Sequence, residues 1–445
     1  MTSRLPIVLA VTALATAAAP AVAVAGWSAP RVVDRAAGFQ HGFSPSGRTL
    51  LYGDFDTVLA RARAGDAFGA PQPVFTAPET ETLMGTGIDA SDRVVLMTVR
   101  RHKPYQRVRI ALRDTDGTLA PARTISGKGH SATQPQLSVA PDGTAVAAWG
   151  WHDSAGWRVQ AAVRKPGEAF GPAQTLSAPT PKTRPWVNVA AGEGGHAAIA
   201  WHVGGDARTP GTDLLAATAG PEGSFGTPTR LDGGAGFFHT TLAVAPDGRA
   251  LAAWLPTYFM ERGDREPGVL KVADAPAGGA FGPARTLSTG GPGFVEQGNP
   301  VSVITPDGGA VVAWAKPIAA GHTNGVVEAF ARPPGGSFGT GQILTDGRRS
   351  PGGLTLSAGS EGTVALGWDD GHFAKDYHGP NWESRVSVRA PGARAFPPAE
   401  RISDPAHNGL WPSVTVAPDG TVLAAWTFND DGSGAGPVAA AVRTP

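Results

Sequence analysis

Val139-Ala140-Pro141-Asp142-Gly143-Thr144-Ala145-Val146-Ala147-Ala148-Trp149 is the stretch on which the fold turns. Two apolar runs flank Pro-Asp-Gly. Proline presets a turn φ, aspartate bonds nearby amides and glycine accepts φ > 0, which together make the grammar of a β-hairpin. The stretch returns almost letter for letter at Val416 to Trp426, and with small changes at Val244 to Trp254 and Ile304 to Trp314. Ala190 to Gly195 and Ala358 to Gly362 are longer, glycine-rich versions of the turn.

Beyond the hairpin a polar loop leads to a third strand of the form Val-x-Ala-x-Val-Arg. A Pro-Gly-type turn then leads to Phe-Gly-Pro-Ala-x-Thr-Leu-Ser, the fourth strand. The second-strand aromatic or its equivalent falls at Tyr52, Met97, Trp149, Trp201, Trp254, Trp314, Trp368 and Trp426, which makes eight copies. The fourth-strand equivalent falls at Phe68, Leu119, Phe170, Phe225, Phe281, Phe338 and Phe396, which makes seven. A period of about 50 residues with four short strands is that of a β-propeller blade. The last copy stops after its third strand, Pro437 to Val442. Trp27-Ser28-Ala29-Pro30-Arg31-Val32-Val33 matches Phe281-Gly282-Pro283-Ala284-Arg285-Thr286-Leu287 in kind. The N-terminal segment is therefore predicted to complete the last blade and pair an otherwise open edge, with Trp27 packing like Phe281. The reading is all-β: an eight-bladed propeller of four-stranded blades closed by the N-terminal strand. Seven blades with an irregular first unit is the alternative. The recurring tryptophans read as inter-blade packing, because one per blade at one place is what a structural role produces.

Phe43-Ser44-Pro45-Ser46-Gly47-Arg48-Thr49-Leu50-Leu51-Tyr52 resembles the Ser-Pro-Asp-Gly hairpin of TolB-type, WD40-like propellers. The resemblance covers the hairpin of most blades and implies fold, since such propellers host many activities. Sialidase-type propellers, with their Ser-x-Asp-x-Gly-x-x-Trp hairpins, are a weaker resemblance. Here Asp142 and Gly143 are adjacent, Trp149 lies six residues past Gly143, and an early Arg-Ile-Pro is absent.

Met1 to Ala25 reads as a secretory signal: Arg4, an apolar stretch from Ile7 to Ala19, and Ala23-Val24-Ala25 as a small-x-small cleavage site. Residues 26–445 are then a single propeller domain. With no cysteine there is neither a disulfide framework nor a lipid-modified cysteine. The expected product is secreted, extracellular and monomeric, with no membrane span. Thirty-seven basic against thirty-seven acidic residues argue against nucleic acid or an anionic membrane as partner.

Strands of a blade run antiparallel, so the loop between strands two and three and the loop between blades share one face. That face has the long, variable loops on which propellers build sites. Ten of the eleven histidines fall in those loops or at their edges, His196 being the one in a tight turn. The candidate ligand-binding residues are Trp151, His152 and Asp153 in the stretch Gly150 to Trp157; Trp186 and His239; Asp369, Asp370, His372, Tyr377 and Trp382 in the longest loop, Asp369 to Glu383; and His407 and Trp411 at the entry to the last blade. Aromatic planes beside carboxylates, amides and imidazoles suit a sugar: rings cover C–H faces and polar groups bind hydroxyls. The expected function is recognition of an extracellular glycan or protein. One alternative is a sialidase-like or other glycan-cleaving hydrolase, drawing Asp369 or Asp370 together with Glu383 or Asp153. Arg184, Arg208, Arg262, Arg265, Arg348 and Arg349 are then the partners for a carboxylate substituent. A structural cell-envelope scaffold is the other alternative. No cofactor is expected. Asn429-Asp430-Asp431-Gly432 and Asp369-Asp370-Gly371 are oxygen-rich in the manner of Ca²⁺ loops, without the full spacing of one.

Overall fold

Blade 3 shows how the repeat folds. Its strands Ser131–Val139, Ala145–Asp153, Gly156–Arg164 and Gln174–Thr175 form one antiparallel sheet in chain order. At the first turn Gly143 takes φ +89° and its N–H donates to Ala140 O at 3.0 Å. Asp142 Oδ1 accepts the Thr144 N–H at 2.8 Å, and Oδ2 accepts the Gly194 N–H of blade 4 at 2.6 Å. The turn aspartate thus ties one blade to the next as well as closing its own hairpin. Both faces of the sheet are covered by neighbours, so Ala145 to Trp149 is an unbroken buried apolar run rather than an alternating one.

The computed structural model describes residues 26–38, 40–102, 105–127, 131–180, 184–203, 212–235, 237–257, 267–292, 299–318, 325–371, 382–429 and 436–445. Eight antiparallel blades follow one another around an axis, as an eight-bladed β-propeller. First strands of neighbouring blades pack against each other and face the axis. Blade 1 splits its fourth strand into Ala67–Phe68 and Gln72–Thr76, both paired with Thr57–Ala64. Blades 2, 3 and 4 pair the equivalent residues Leu119, Phe170 and Phe225 with their third strands in the same way, so blade 1 is a full blade and the seven-bladed alternative falls. Among the described residues no helix is long and apolar enough to cross a membrane.

The ring closes as the sequence indicates. Arg31–Gly38 pairs with Gly436–Arg443, with Arg31 opposite Ala440 and Val32 opposite Ala439. Ser28 N–H donates to Val442 O at 2.7 Å. Trp27 is buried against Val386 and Ile402 of blade 7 and Trp426 of blade 8. Phe281 packs in the same way, against Ala198 and Ala200 of blade 4. On the other side, Asp34 of the closing strand accepts from Tyr52 Oη at 2.6 Å and pairs with Arg61 at 3.2 Å, so it also clamps blade 1.

The six recurring tryptophans are fully buried between blades, which supports their structural reading. Several also anchor the indole N–H. Trp149 donates to Gln160 Oε1 at 3.2 Å, Trp254 to Asp232 Oδ2 at 2.8 Å and Trp314 to Glu328 Oε2 at 2.8 Å.

Candidate functional site

Successive residues of a strand face opposite sides, so the residue after each second-strand tryptophan looks toward the next blade. In blades 3, 5 and 6 it is Gly150, Leu255 and Ala315; in blade 4 it is His202 and in blade 7 Asp369. Close by, blades 3, 7 and 8 carry a β-bulge in the first strand, opposite the tryptophan. The registers jump between Thr133 and Gln136, Gly352 and Thr355, and Leu410 and Ser413. The bulge residues Gln134, Gly353 and Trp411 have φ of 48°, 52° and 50°. That left-handed backbone is easy for glycine and costs a tryptophan on the order of 1 kcal/mol or more.

Trp411 is held in that conformation from blade 7. Asp369 Oδ2 accepts its N–H at 2.9 Å and the carboxylate also accepts from the Gly352 amide. Gly353 lies beneath: a Cβ there would sit 2.8 Å from Asp369 Oδ2 and 3.4 Å from Trp411 Cα. Asp369 is 1% exposed. Burial pushes its carboxyl up to about 6, against the pull of the two amides, and Oδ1 has no hydrogen-bond partner.

Asp370 faces the other side of the same blade, toward blade 6, and belongs to a charge network. Glu383 sits opposite it in register and is 4% exposed. Arg385 grips Glu383 Oε1 with both Nε, at 2.7 Å, and its terminal nitrogen. Arg401 reaches Oε2 at 3.0 Å and Arg349 reaches Oε1 at 3.4 Å. Asp370 lies 3.7 Å from Arg385. Burial pushes its carboxyl up to about 6, opposed by Arg385 and assisted by Glu383.

Trp411 also lines a cavity of about 590 Å³ where blades 8, 1, 2 and 3 meet at the axis. His41, Tyr52 and Asp54 of blade 1, Met84 and Thr86 of blade 2 and Ser413 of blade 8 share the lining. Burial pushes the His41 imidazole down to about 4, which leaves it neutral at pH 7, and its Nε2 has no hydrogen-bond partner. Burial and the Asp34 hydrogen bond push the Tyr52 phenol up to about 12.

The remaining sequence candidates lie elsewhere on the ring. Gly150 to Trp157 is not a loop: the second and third strands of blade 3 run on to a two-residue turn, with Asp153 opposite Gly156. His152 and Trp157 rings lie 4.7 Å apart, while Asp153 pairs with Arg158 at 3.1 Å and its Oδ1 caps the Ala155 N–H at 2.8 Å. Trp186 is 40% exposed and stands opposite the buried His202. Burial pushes His202 down to about 4, with His239 adding to the shift. Trp382 lies over Gly371 and its N–H donates to Asn408 Oδ1 at 2.9 Å. His407 packs on Phe428 at 5.4 Å. His372, Tyr377, Asp430 and Asp431 lie outside the described residues.

The candidates therefore form three groups, on blade 3, on blades 4 and 5, and on blades 7 and 8. Of the carboxyl pairings considered for hydrolysis, Asp153 is across the ring from blade 7, and Glu383 is neutralised by arginines. Asp369 and Asp370 are strand residues facing opposite sides, so they do not converge on a cation. Among the described residues no group of three or more His, Cys, Asp or Glu is placed to hold a metal ion. Sequence reasoning missed Arg385, Arg401 and the axial cavity. The first had a signal: Trp382-Glu383-Ser384-Arg385 stands where blade 6 has Gly325-Val326-Val327-Glu328.

No family model matches the chain, and no curated protein matches it. Among solved structures it is similar to a protein of unknown function from Dyadobacter fermentans, at 14% identity over 71% of this chain and 95% of that one, with a TM-score of 0.37. It is also similar to a polysaccharide lyase of the ulvan lyase type, at 10% identity over 80% and 93%, TM-score 0.44. The NanB sialidase of Streptococcus pneumoniae is a further likeness, at 12% identity over 86% and 70%, TM-score 0.39. Likeness at this level leaves the chemistry of this chain to its own residues.

Proposed function

We propose that the chain is a secreted recognition module that binds an extracellular glycan through its long-loop face without cleaving it. The carrying observation is Trp411: a partly exposed ring on a left-handed bulge, fixed by Asp369 from the neighbouring blade and bordering the axial cavity. Bulges re-aim side chains next to binding sites, and backbone strain of this kind marks functional positions. The carboxyls available for acid–base work serve as internal supports instead. Asp369 holds two amides, and Glu383 is enclosed by Arg349, Arg385 and Arg401. Asp370 has the raised pKa of a general acid, but the base opposite it is already neutralised. Export through the leader Met1 to Ala25 belongs to the same proposal and rests on the sequence pattern.

The test is a glycan array probed with residues 26–445 and with Trp411→Ala. A selective hit, weakened about tenfold or more by the substitution, is the expected result. Silence on every glycan sinks the reading in favour of a protein partner or an envelope scaffold. Release of shorter sugars from the bound glycan would overturn the non-catalytic half.

A further inference from the structure

We infer that the axial cavity between blades 8, 1, 2 and 3 is the seat of the sugar and that it selects an uncharged saccharide over an acidic one. The inference rests on the glycan-binding reading and adds where the ligand sits and what charge it carries.

The volume, about 590 Å³, lies within the roughly 300–1,000 Å³ of small-molecule sites. The lining combines the surfaces a pyranose needs. Trp411, Tyr52 and Met84 offer aromatic or apolar cover. Thr86 and Ser413 bring hydroxyls, and His41 brings a neutral imidazole. The strand backbone itself is open at Gly42, where a Cβ would meet nothing within 4 Å.

Charge decides the class. Among the described residues that line the cavity there is no lysine or arginine. The one carboxylate there, Asp54, is oriented by the N–H groups of Asp56 and Thr57, at 2.9 and 2.7 Å. A carboxylate or sulfate entering this space would lose hydration, find no cation and face Asp54, an unfavourable exchange. The arginine cluster that an acidic sugar would seek is on blade 7, already filled from inside the protein by Glu383. A hydroxylated neutral ring meets no such penalty and can exchange hydrogen bonds with wall groups such as the Thr86 and Ser413 hydroxyls.

Gly42 supplies a clean perturbation. Its φ is outside the left-handed region and its Cβ direction is open, so Gly42→Leu fills the cavity without disturbing the blade. Calorimetric titration of residues 26–445 should use neutral probes (malto-, cello-, manno- and N-acetylated chitohexaose) and acidic ones (oligogalacturonate, sialyllactose, a heparin hexasaccharide). The expected result is saturable binding within the neutral set alone. Gly42→Leu should reduce affinity about tenfold or more, with circular dichroism and Tm close to the parent. Equal or tighter binding of an acidic probe overturns the charge selection. Neutral binding that neither Gly42→Leu nor Trp411→Ala alters overturns the location and leaves the glycan reading standing. Binding of no probe from either set removes both.

Discussion

Blades 6 and 7 have the same strand register and opposite chemistry. In blade 6, Trp314 is followed by Ala315 and Lys316, and the facing third strand reads Val326-Val327-Glu328. In blade 7, Trp368 is followed by Asp369 and Asp370, and the facing strand reads Glu383-Ser384-Arg385. Lys316 and Glu328 pair at 3.2 Å; Asp370 and Arg385 occupy the same two places with the charges exchanged. The exchange has a cost. Glu328 can accept the indole N–H of Trp314, whereas an arginine only donates, and Trp368 Nε1 has no hydrogen-bond partner among the described residues. Blade 7 has thus given up an anchor for its indole within the blade, and it has gained a buried carboxylate that positions Trp411 and a buried glutamate that three arginines converge on. The propeller tolerates this because neighbouring blades carry the packing.

Removing the centre of that network should have the largest effect on the comparison. Glu383→Val copies blade 6 at one position and leaves Arg349, Arg385 and Arg401 without their common anion. Breaking a buried ion pair from one side costs about 3–5 kcal/mol. The arginine heads are about one-third exposed, so solvent screening puts the loss near the lower end. Adding Asp370→Lys and Arg385→Glu completes the copy and should recover at least half of the loss in denaturant unfolding. No recovery would mean that the two blades are not interchangeable at these positions.

A smaller effect separates the two tryptophans. Trp314→Phe and Trp368→Phe remove similar ring surface, but only the first breaks a hydrogen bond to a carboxylate. Trp314→Phe should therefore be the more destabilising by about 1.5 kcal/mol. Equal losses would show that the Glu328 contact contributes nothing net.

The smallest effect is in pH dependence. Asp369 and Asp370 have folded pKa values raised to about 6, so their contribution is present below the unfolded value and is lost as pH rises through 6. His41 and His202 are depressed to about 4, so theirs is present above the unfolded value and is lost as pH falls through 4. Between about pH 4 and 6 the two pairs oppose each other, and stability should be nearly flat there. Asp369→Asn removes one descending contribution while its amide oxygen can still accept from Trp411. Stability should then rise with pH across this window, with a slope up to about 1.4 kcal/mol per pH unit. An unchanged profile would show that Asp369 titrates normally.

The repeat, the blade count and the closure by Trp27 were legible because they depend on local signals: Pro-Asp-Gly turns, apolar runs and one aromatic per period. The site was legible only as a list of residue types. Asp369 and Asp370 look like loop residues because two adjacent carboxylates rarely end a buried strand. Asp370 is buried beside Glu383 among Arg349, Arg385 and Arg401, which are 15 to 31 residues away from it in the chain, and Asp369 is held by the Trp411 amide 42 residues on, so these partners converge only in the folded ring. His152 and Asp153 read as loop residues because they are polar and lie beside a glycine, although the ladder simply continues to a tight turn. The axial cavity had no local signature, since its lining is assembled from residues of four blades that are far apart in the chain.

The closing strand also has a consequence for the order of events in folding. Ser28 and Val442 are hydrogen-bonded partners 414 positions apart, whereas contacts such as Thr98 to Glu81 span 17. For an unstructured chain the longer closure costs about 3 kcal/mol more entropy, at roughly 0.6 per doubling of loop length. Blades whose four strands are contiguous can form by local zippering. The eighth cannot, and the segment that completes it is the first of the strands among the described residues. Arg31–Gly38 must wait, with its edge unpaired, until seven blades have curved far enough round to bring Gly436–Arg443 alongside. Ring closure is then the slow, concerted last step, and it converts a row of separately forming hairpins into a single cooperative unit.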